Sequence, residues 1–221
     1  GWLLAGIGFG LAVVTRFQLA VFAVLPAWAL YELWVEKPAA VPAALAGLLA
    51  GALPFALLQM AAWRVVYGHW LVFSYGAEGE VFNWTQPALA SSLFSARHGL
   101  YYWHPLLLVA TAGAMGWIWT RGGIAWAVGL AFAATMYVNA AWWCWWFGAA
   151  FGNRAYDAAM LPLMAGLAWL ATRLTGSWRR VFWAVALLAA AWNLHLLILY
   201  RLAAISRNEA VTWSQMLLGG F

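Results

Sequence analysis

The sequence predicts an all-α fold: a polytopic transmembrane helical bundle of about seven helices, with one extracytoplasmic loop at the membrane interface. Two features of the composition support this class, because only 8% of the residues are charged and 67% are hydrophobic, with a mean hydropathy of +0.82. Soluble domains carry about 25% charged residues. The third observation is that the apolar runs are long and nearly free of charge, as helices that cross a bilayer require.

Charged and turn-forming residues divide the chain into seven predicted helices of one transmembrane domain, 1–221. The first two apolar runs are short and are separated by Arg16. An arginine held in mid-bilayer costs on the order of 3 kcal/mol on insertion scales, so we favour two short helices over one long helix broken at Arg16. Small residues in the first run predict close helix packing. The predicted helices cover residues 1–14, 19–35, 39–63, 99–119, 124–147, 157–172 and 181–200.

The longest polar stretch, residues 64–98, also contains many aromatic residues. A loop of this kind is expected to lie against the membrane interface with short helices of its own. Basic residues are densest between Arg173 and Arg180, so the positive-inside rule places that loop in the cytoplasm. Counting crossings then places residues 64–98 and 142–157 together on the outer face.

Charge, cysteine and histidine content limit the partners. The net charge of +5 comes from arginines scattered among loops, which is not the pattern of a nucleic-acid surface. The single cysteine, Cys144, excludes an internal disulfide or a cysteine metal site. His69, His98 and His104 lack the spacing and the acidic neighbour of a metal site. The sequence therefore predicts no metal, no cofactor and no nucleic-acid partner, and a membrane-lipid environment.

Residues 141–157, here called the Trp segment, are the most unusual part of the chain. They contain four of the 19 tryptophans within five positions, followed by glycines, Arg154 and Asp157. Indole rings favour the headgroup level of a bilayer, so the segment reads as a helix leaving the membrane. The simpler alternative is an aromatic belt with a snorkelling Arg154. Asp157 is a possible base, although a structural ion pair with Arg154 is the simpler account.

Residues 93–105, here called the Arg97 segment, combine Arg97 and His98 with an aromatic run ending at His104. A guanidinium at the boundary between water and bilayer suits a lipid phosphate, because it offers forked donors and never deprotonates. Arg97 and Arg154 together are predicted to hold one phosphate or pyrophosphate-like group. The alternative is that each arginine merely snorkels to headgroups.

Three further polar residues have simpler interpretations. His195 lies inside an apolar run and is expected to make a helix–helix hydrogen bond. Glu78 and Glu80 are able to bind sugar hydroxyls, but a solvated turn is the preferred interpretation.

The run Leu93-Phe-Ser-Ala-Arg-His-Gly-Leu-Tyr-Tyr-Trp-His-Pro-Leu-Leu-Leu, followed by Trp145-Trp-Phe-Gly-Ala-Ala-Phe-Gly-Asn-Arg and Leu161-Pro, resembles the C-terminal half of bacterial GT-C-type membrane glycosyltransferases. These enzymes are similar to dolichyl-phosphate-mannose–protein mannosyltransferases and aminoarabinose transferases. Asn153 stands where the family commonly has proline. The chain begins within an apolar run, so we expect it to be part of a longer protein.

The resemblance implies a bacterial inner-membrane enzyme that transfers a sugar from a polyprenyl-phosphate carrier to an acceptor on the extracytoplasmic face. It implies a catalytic carboxylate in an outer loop that lies outside this segment. The expected phosphate contacts are Arg97, His98 and Arg154; the expected stacking contacts with sugar or lipid are Tyr102, His104, Trp145 and Trp146. The alternative function is a non-catalytic membrane subunit or scaffold of a larger complex.

Overall fold

The computed structural model describes residues 1–73 and 80–220, and this part of the chain is all-α, as predicted. Its ten helices outnumber the seven predicted because the polar loop, the Arg97 segment and the tail each add a short one. The helices are α1 Trp2–Thr15, α2 Val24–Glu36, α3 Val41–Tyr67, α4 Leu89–Phe94, α5 Leu100–Trp103, α6 Leu106–Arg121, α7 Ile124–Ala141, α8 Met160–Arg173, α9 Gly176–Arg201 and α10 Trp213–Leu218.

Four helical stretches in the described residues are long and apolar enough to cross a membrane. Two of them join a 3-10 segment to the α-helix that follows, because Phe17–Ala23 leads into α2 and Pro38–Ala40 leads into α3. The four stretches are Phe17–Glu36, Pro38–Tyr67, Ile124–Ala141 and Gly176–Arg201. They indicate a membrane protein.

The chain divides into two compact units. Unit 1 contains Gly1–Val81 and Gly123–Thr135, and unit 2 contains Phe82–Gly122 and Met136–Phe221. The division falls within α7, so the N-terminal part of that helix belongs to unit 1 and its C-terminal end to unit 2.

Unit 1 is organised by the close approach of α1 and α3. A Cβ on Gly6 would lie 2.1 Å from the carbonyl oxygen of Leu48, and one on Gly51 would lie 2.3 Å from that of Leu3. Only glycine allows the backbones to approach this closely, as the small-residue pattern predicted. The backbone is extended at Arg16, which ends α1. The expectation of two short helices is therefore confirmed.

Unit 2 has a comparable contact between α6 and α8. A Cβ on Gly113 would lie 2.3 Å from the carbonyl oxygen of Gly166, and one on Gly166 would lie 2.3 Å from that of Ala110. A separate core joins the Arg97 segment, α9 and the tail. Its fully buried members are Trp103, Leu196, Ile205, Val211 and Met216.

Several predicted boundaries were wrong. The helix predicted to reach residue 147 ends at Ala141, where the main chain turns to receive hydrogen bonds from the loop: the amide of Asn83 donates to the carbonyl of Ala141 at 2.6 Å. The helix predicted over 99–119 is interrupted at His104, because Pro105 disfavours the helical conformation for the residue before it. The predicted loop 64–98 begins later, since α3 continues to Tyr67. The prediction for Glu78 lies outside the described residues.

Candidate functional site

Unit 2 brings the Arg97 segment and the Trp segment into contact. The guanidinium carbon of Arg97 lies 4.0 Å from the ring centroid of Trp146. The rings of Trp103 and Phe151 meet edge to face, with centroids 5.8 Å apart. The hydroxyl of Ser92, just before the Arg97 segment, is hydrogen-bonded at 3.0 Å to the buried hydroxyl of Tyr156 in the Trp segment. The two clusters that stood out in the sequence are therefore parts of one structure, and the side of the membrane that they face stays a prediction.

Arg97 is half-buried and held on two sides. Its Nε donates a hydrogen bond to the carbonyl of Asn208 at 2.6 Å, and its guanidinium covers the ring of Trp146. Among the described residues, neither Nη atom has a hydrogen-bond partner. Because the contact with an aromatic face does not use N–H donors, the two Nη groups are able to bind an anion without breaking the bonds that hold the side chain.

Asn153 fixes the backbone of the Trp segment. Its Nδ2 donates to the carbonyl of Trp145 at 3.0 Å, and its Oδ1 accepts a hydrogen bond from the amide of Ala155 at 3.2 Å. Proline has neither of these side-chain groups, so a proline at position 153 would lose both hydrogen bonds. The ring of Trp145 packs edge to face on Trp146, with centroids 5.5 Å apart.

Arg154 lies at the start of a 3-10 helix, Arg154–Ala159, and its side chain is exposed. Asp157 lies three residues later, which is one turn of a 3-10 helix, and is also exposed. The Asp157 carboxylate accepts a hydrogen bond from the amide of Ala158 at 2.7 Å. Convergence of the Arg154 and Arg97 guanidinium groups on one anion stays a prediction.

His98 is placed differently from the sequence expectation. It is fully buried, has a positive φ of 59° and stacks on Trp103 with centroids 5.3 Å apart. Neither ring nitrogen makes a hydrogen bond of ordinary geometry with a described residue. Burial lowers the pKa of His98, and the neighbouring backbone of Gly152 and Arg207 offsets part of that effect. A neutral ring inside the core does not present itself to a lipid phosphate in this conformation.

His104 is held by α9. Its Nδ1 is hydrogen-bonded to the Oδ1 of Asn193. Since the Nδ2 of Asn193 donates to the carbonyl of Ala189 at 2.9 Å, the amide oxygen is the acceptor and His104 Nδ1 carries the proton. Burial lowers the pKa of His104. The Nε2 of His104 faces Gly152, where a Cβ would lie 2.4 Å away and φ is +62°.

The C-terminal tail, residues 202–218, is the part of the site that the sequence interpretation missed. The amide of Val211 donates to the carbonyl of Ala96 at 3.2 Å, and the hydroxyl of Tyr102 donates to the carbonyl of Val211 at 3.1 Å. The ring of Tyr102 also lies 4.6 Å from that of Trp213. Tyr102 is thus engaged with the tail, and its stacking on a sugar stays a prediction.

The sequence did contain one signal that predicts structure in the tail, the capping box at the start of α10. The side chain of Thr212 accepts a hydrogen bond from the amide of Gln215, while the side chain of Gln215 accepts one from the amide of Thr212. A threonine followed three residues later by glutamine is a sequence signature of a helix start. His195 binds this helix, since its Nε2 lies 2.9 Å from the carbonyl of Met216.

An apolar groove of about 390 Å³ lies between the start of α6, α9 and α10. It is lined by Pro105, Val185, Leu188, Ala189, Trp192, Trp213 and Leu217. Trp213, in its wall, contacts Tyr102 of the Arg97 segment.

No group of three or more metal-ligating side chains occurs in residues 1–73 and 80–220. No family model, curated protein or solved structure matches this chain.

Proposed function

We propose that this chain is the lipid-phosphate-binding part of a membrane glycosyltransferase that moves a sugar from a polyprenyl-phosphate carrier to an acceptor. The proposal includes a bacterial inner membrane, with the loop 64–98 on the extracytoplasmic side. It requires no cofactor, because the lipid-linked sugar is itself the activated donor.

The observation that carries the proposal is the contact of Arg97 with Trp146. It places the Arg97 guanidinium, whose Nη groups have no hydrogen-bond partner among the described residues, over the ring of Trp146, which packs edge to face with Trp145. Negative charge grows on the leaving phosphate as the glycosidic bond breaks, and a pre-positioned cation stabilises that charge. The tryptophan rings supply apolar faces for the sugar or the first isoprene units.

The other expected contacts have secondary roles in the proposal. Arg154 supplies charge from the exposed edge of the Trp segment, while His98, stacked on Trp103, and His104, hydrogen-bonded to Asn193, have structural roles. Tyr102 anchors the tail beside the apolar groove. A carboxylate outside this chain takes the proton from the acceptor hydroxyl.

Binding of a polyprenyl phosphate tests the phosphate contact directly. With the chain in phosphatidylcholine nanodiscs, Arg97→Gln is expected to weaken binding about tenfold, the effect of losing about 1.4 kcal/mol. Arg179→Gln is the matched control, since it removes the same charge from the first turn of α9. Bound lipid is measured by mass spectrometry across a lipid titration. Equal binding by the Arg97→Gln variant and the wild type contradicts the proposal.

Sugar transfer tests the activity in membranes that contain the whole protein. Arg154→Ala is expected to abolish transfer of a labelled sugar from its polyprenyl phosphate while expression stays intact. Unchanged transfer by this variant would remove the phosphate role of Arg154.

The scarcity of carboxylates favours the alternative, a non-catalytic subunit or scaffold. Unit 2 contains only two acidic residues in its sequence, Asp157 and Glu209, and both are exposed. Lipid-phosphate binding without sugar transfer by the whole protein would support a scaffold that anchors a larger complex to the lipid.

A further inference from the structure

Residues 206–211 of the tail pack beside Arg97. The carbonyl of Asn208 accepts the hydrogen bond from Arg97 Nε at 2.6 Å, and the amide of Val211 pairs with Ala96 at 3.2 Å. Ser206 closes the preceding turn, because its hydroxyl accepts hydrogen bonds from the amides of Asn208 and Glu209. The position of residues 206–211 relative to Arg97 is therefore fixed by one side-chain and one backbone hydrogen bond.

Arg207 is carried by this turn. Its guanidinium carbon lies 5.1 Å from the ring centroid of Tyr200, and one Nη is at 3.5 Å from the Tyr200 carbonyl, the limit of a hydrogen bond. Tyr200 in turn packs edge to face on Phe151 of the Trp segment, at 5.7 Å. Arg207 is thus connected to the Trp segment through Tyr200, while Arg97 contacts the same segment through Trp146.

Arg97 and Arg207 share an arrangement that suits anion binding. Each guanidinium lies over an aromatic ring, and neither forms an ion pair with a carboxylate among the described residues. Aromatic faces hold the plane of a guanidinium without consuming its N–H donors. Two guanidinium groups beside residues 206–211 favour a ligand with more than one negative charge.

We propose that Arg207 is the second cation of the phosphate site, supplied by the tail, and that the site takes a terminal phosphoryl group of charge about −2, which the lipid carries once the sugar has left. This inference rests on the proposed function, because it adds a residue to the same anion site. A lipid-linked phosphate and a free diphosphate present the same oxygens, so the two sources are separated by experiment.

The experiment uses the full chain in neutral phosphatidylcholine nanodiscs with two probes, a polyprenyl phosphate in the bilayer and inorganic pyrophosphate in the buffer. Arg207→Gln is expected to weaken binding of the lipid probe about tenfold, to reduce its salt dependence, and to leave the thermal unfolding temperature close to wild type. Arg207→Lys is expected to restore part of the affinity, because it keeps the charge but not the forked donors. Stronger binding of pyrophosphate than of the lipid would identify a soluble diphosphate as the ligand.

Arg179→Gln is the control for loss of one positive charge, because Arg179 lies about 33 Å along α9 from its C-terminal end at 1.5 Å per residue. Its affinity is expected to stay within twofold of wild type. Unchanged affinity in Arg207→Gln, or equal losses in Arg207→Gln and Arg207→Lys, would overturn the inference and leave Arg207 as a cap on the Tyr200 carbonyl. If Arg97→Gln alone weakens binding, the proposed function stands without Arg207. If the wild type binds neither probe, both proposals fail.

Discussion

Units 1 and 2 use different means to order their helices. In unit 1, α1 and α3 meet backbone to backbone across glycines such as Gly6 and Gly51. In unit 2, by contrast, buried hydrogen bonds join distant segments: Ser92 with Tyr156, and the amide of Asn139 with the carbonyl of Ala155 at 3.0 Å. The comparison teaches that close backbone packing at glycines orders the long helices of unit 1, while side-chain hydrogen bonds position the loops of unit 2.

The largest expected effect tests the backbone contact of unit 1. Gly51→Leu is expected to destabilise the protein by about 3 kcal/mol or more, because its Cβ would lie 2.3 Å from the Leu3 carbonyl oxygen and overpacking of this kind forces the backbones apart. Gly8→Leu is the control, since no described atom outside its own helix lies within 4 Å of a Cβ at Gly8. Thermal unfolding in detergent measures both. Equal stability of the two variants would show that the α1–α3 contact is not close-packed.

In unit 2, Gly152 of the Trp segment is constrained twice. Gly152→Ala is expected to cost about 2–3 kcal/mol, because it combines a positive φ with a Cβ only 2.4 Å from His104 Nε2. Gly148→Ala separates the two causes, since φ there is +68° but no described atom lies within 4 Å. That variant is expected to lose only about 1–2 kcal/mol.

A double-mutant cycle with His104→Ala sharpens the test. Removing the imidazole is expected to recover the part of the Gly152→Ala loss that comes from the clash. If the two losses simply add, the contact between His104 and Gly152 is absent in the native state.

The sequence predicted the helices of unit 1 better than the site of unit 2. Helix packing at Gly6 follows from local composition, whereas Arg97 finds its partner Asn208 at a separation of 111 residues. That partner is a backbone carbonyl, which every residue has, so no side-chain pattern signals it. The end of α7 at Ala141 was missed because tryptophans follow it and the apolar pattern continues. The helix ends there, where amides of the loop donate hydrogen bonds to its last carbonyls. Burial of His98 was missed because it directly follows the charged Arg97 at the end of the polar stretch 64–98.

A pH titration tests the buried histidines of unit 2. Burial lowers the folded-state pKa of His98 and His104, so as pH falls the unfolded chain takes up these protons first. The free energy of unfolding is therefore not reduced by these histidines above their ordinary pKa of about 6.5. It decreases as pH falls from about 6.5 towards their lower pKa in the folded state. One such proton gives a slope of up to about 1.4 kcal/mol per pH unit.

Chemical denaturation between pH 7.5 and 5 measures this slope. His98→Phe keeps an aromatic ring on Trp103 and removes the titrating group, so its slope is expected to be smaller. A stability that stays constant down to pH 5 would contradict a neutral, buried His98.

The smallest expected effect concerns the tail. Thr212→Ala removes the capping box of α10 and is expected to cost about 1 kcal/mol, with faster hydrogen exchange at the amides of Gln215 and Met216. Because Val211 precedes the cap and pairs with Ala96, loosening of α10 should also raise exchange at Val211. Ser214→Ala, whose hydroxyl bonds only to Thr212 within the described chain, should leave exchange at Val211 near wild type. Faster exchange confined to α10 would show that α10 and residues 206–211 unfold independently. The tail would then hold Arg97 through residues 206–211 alone.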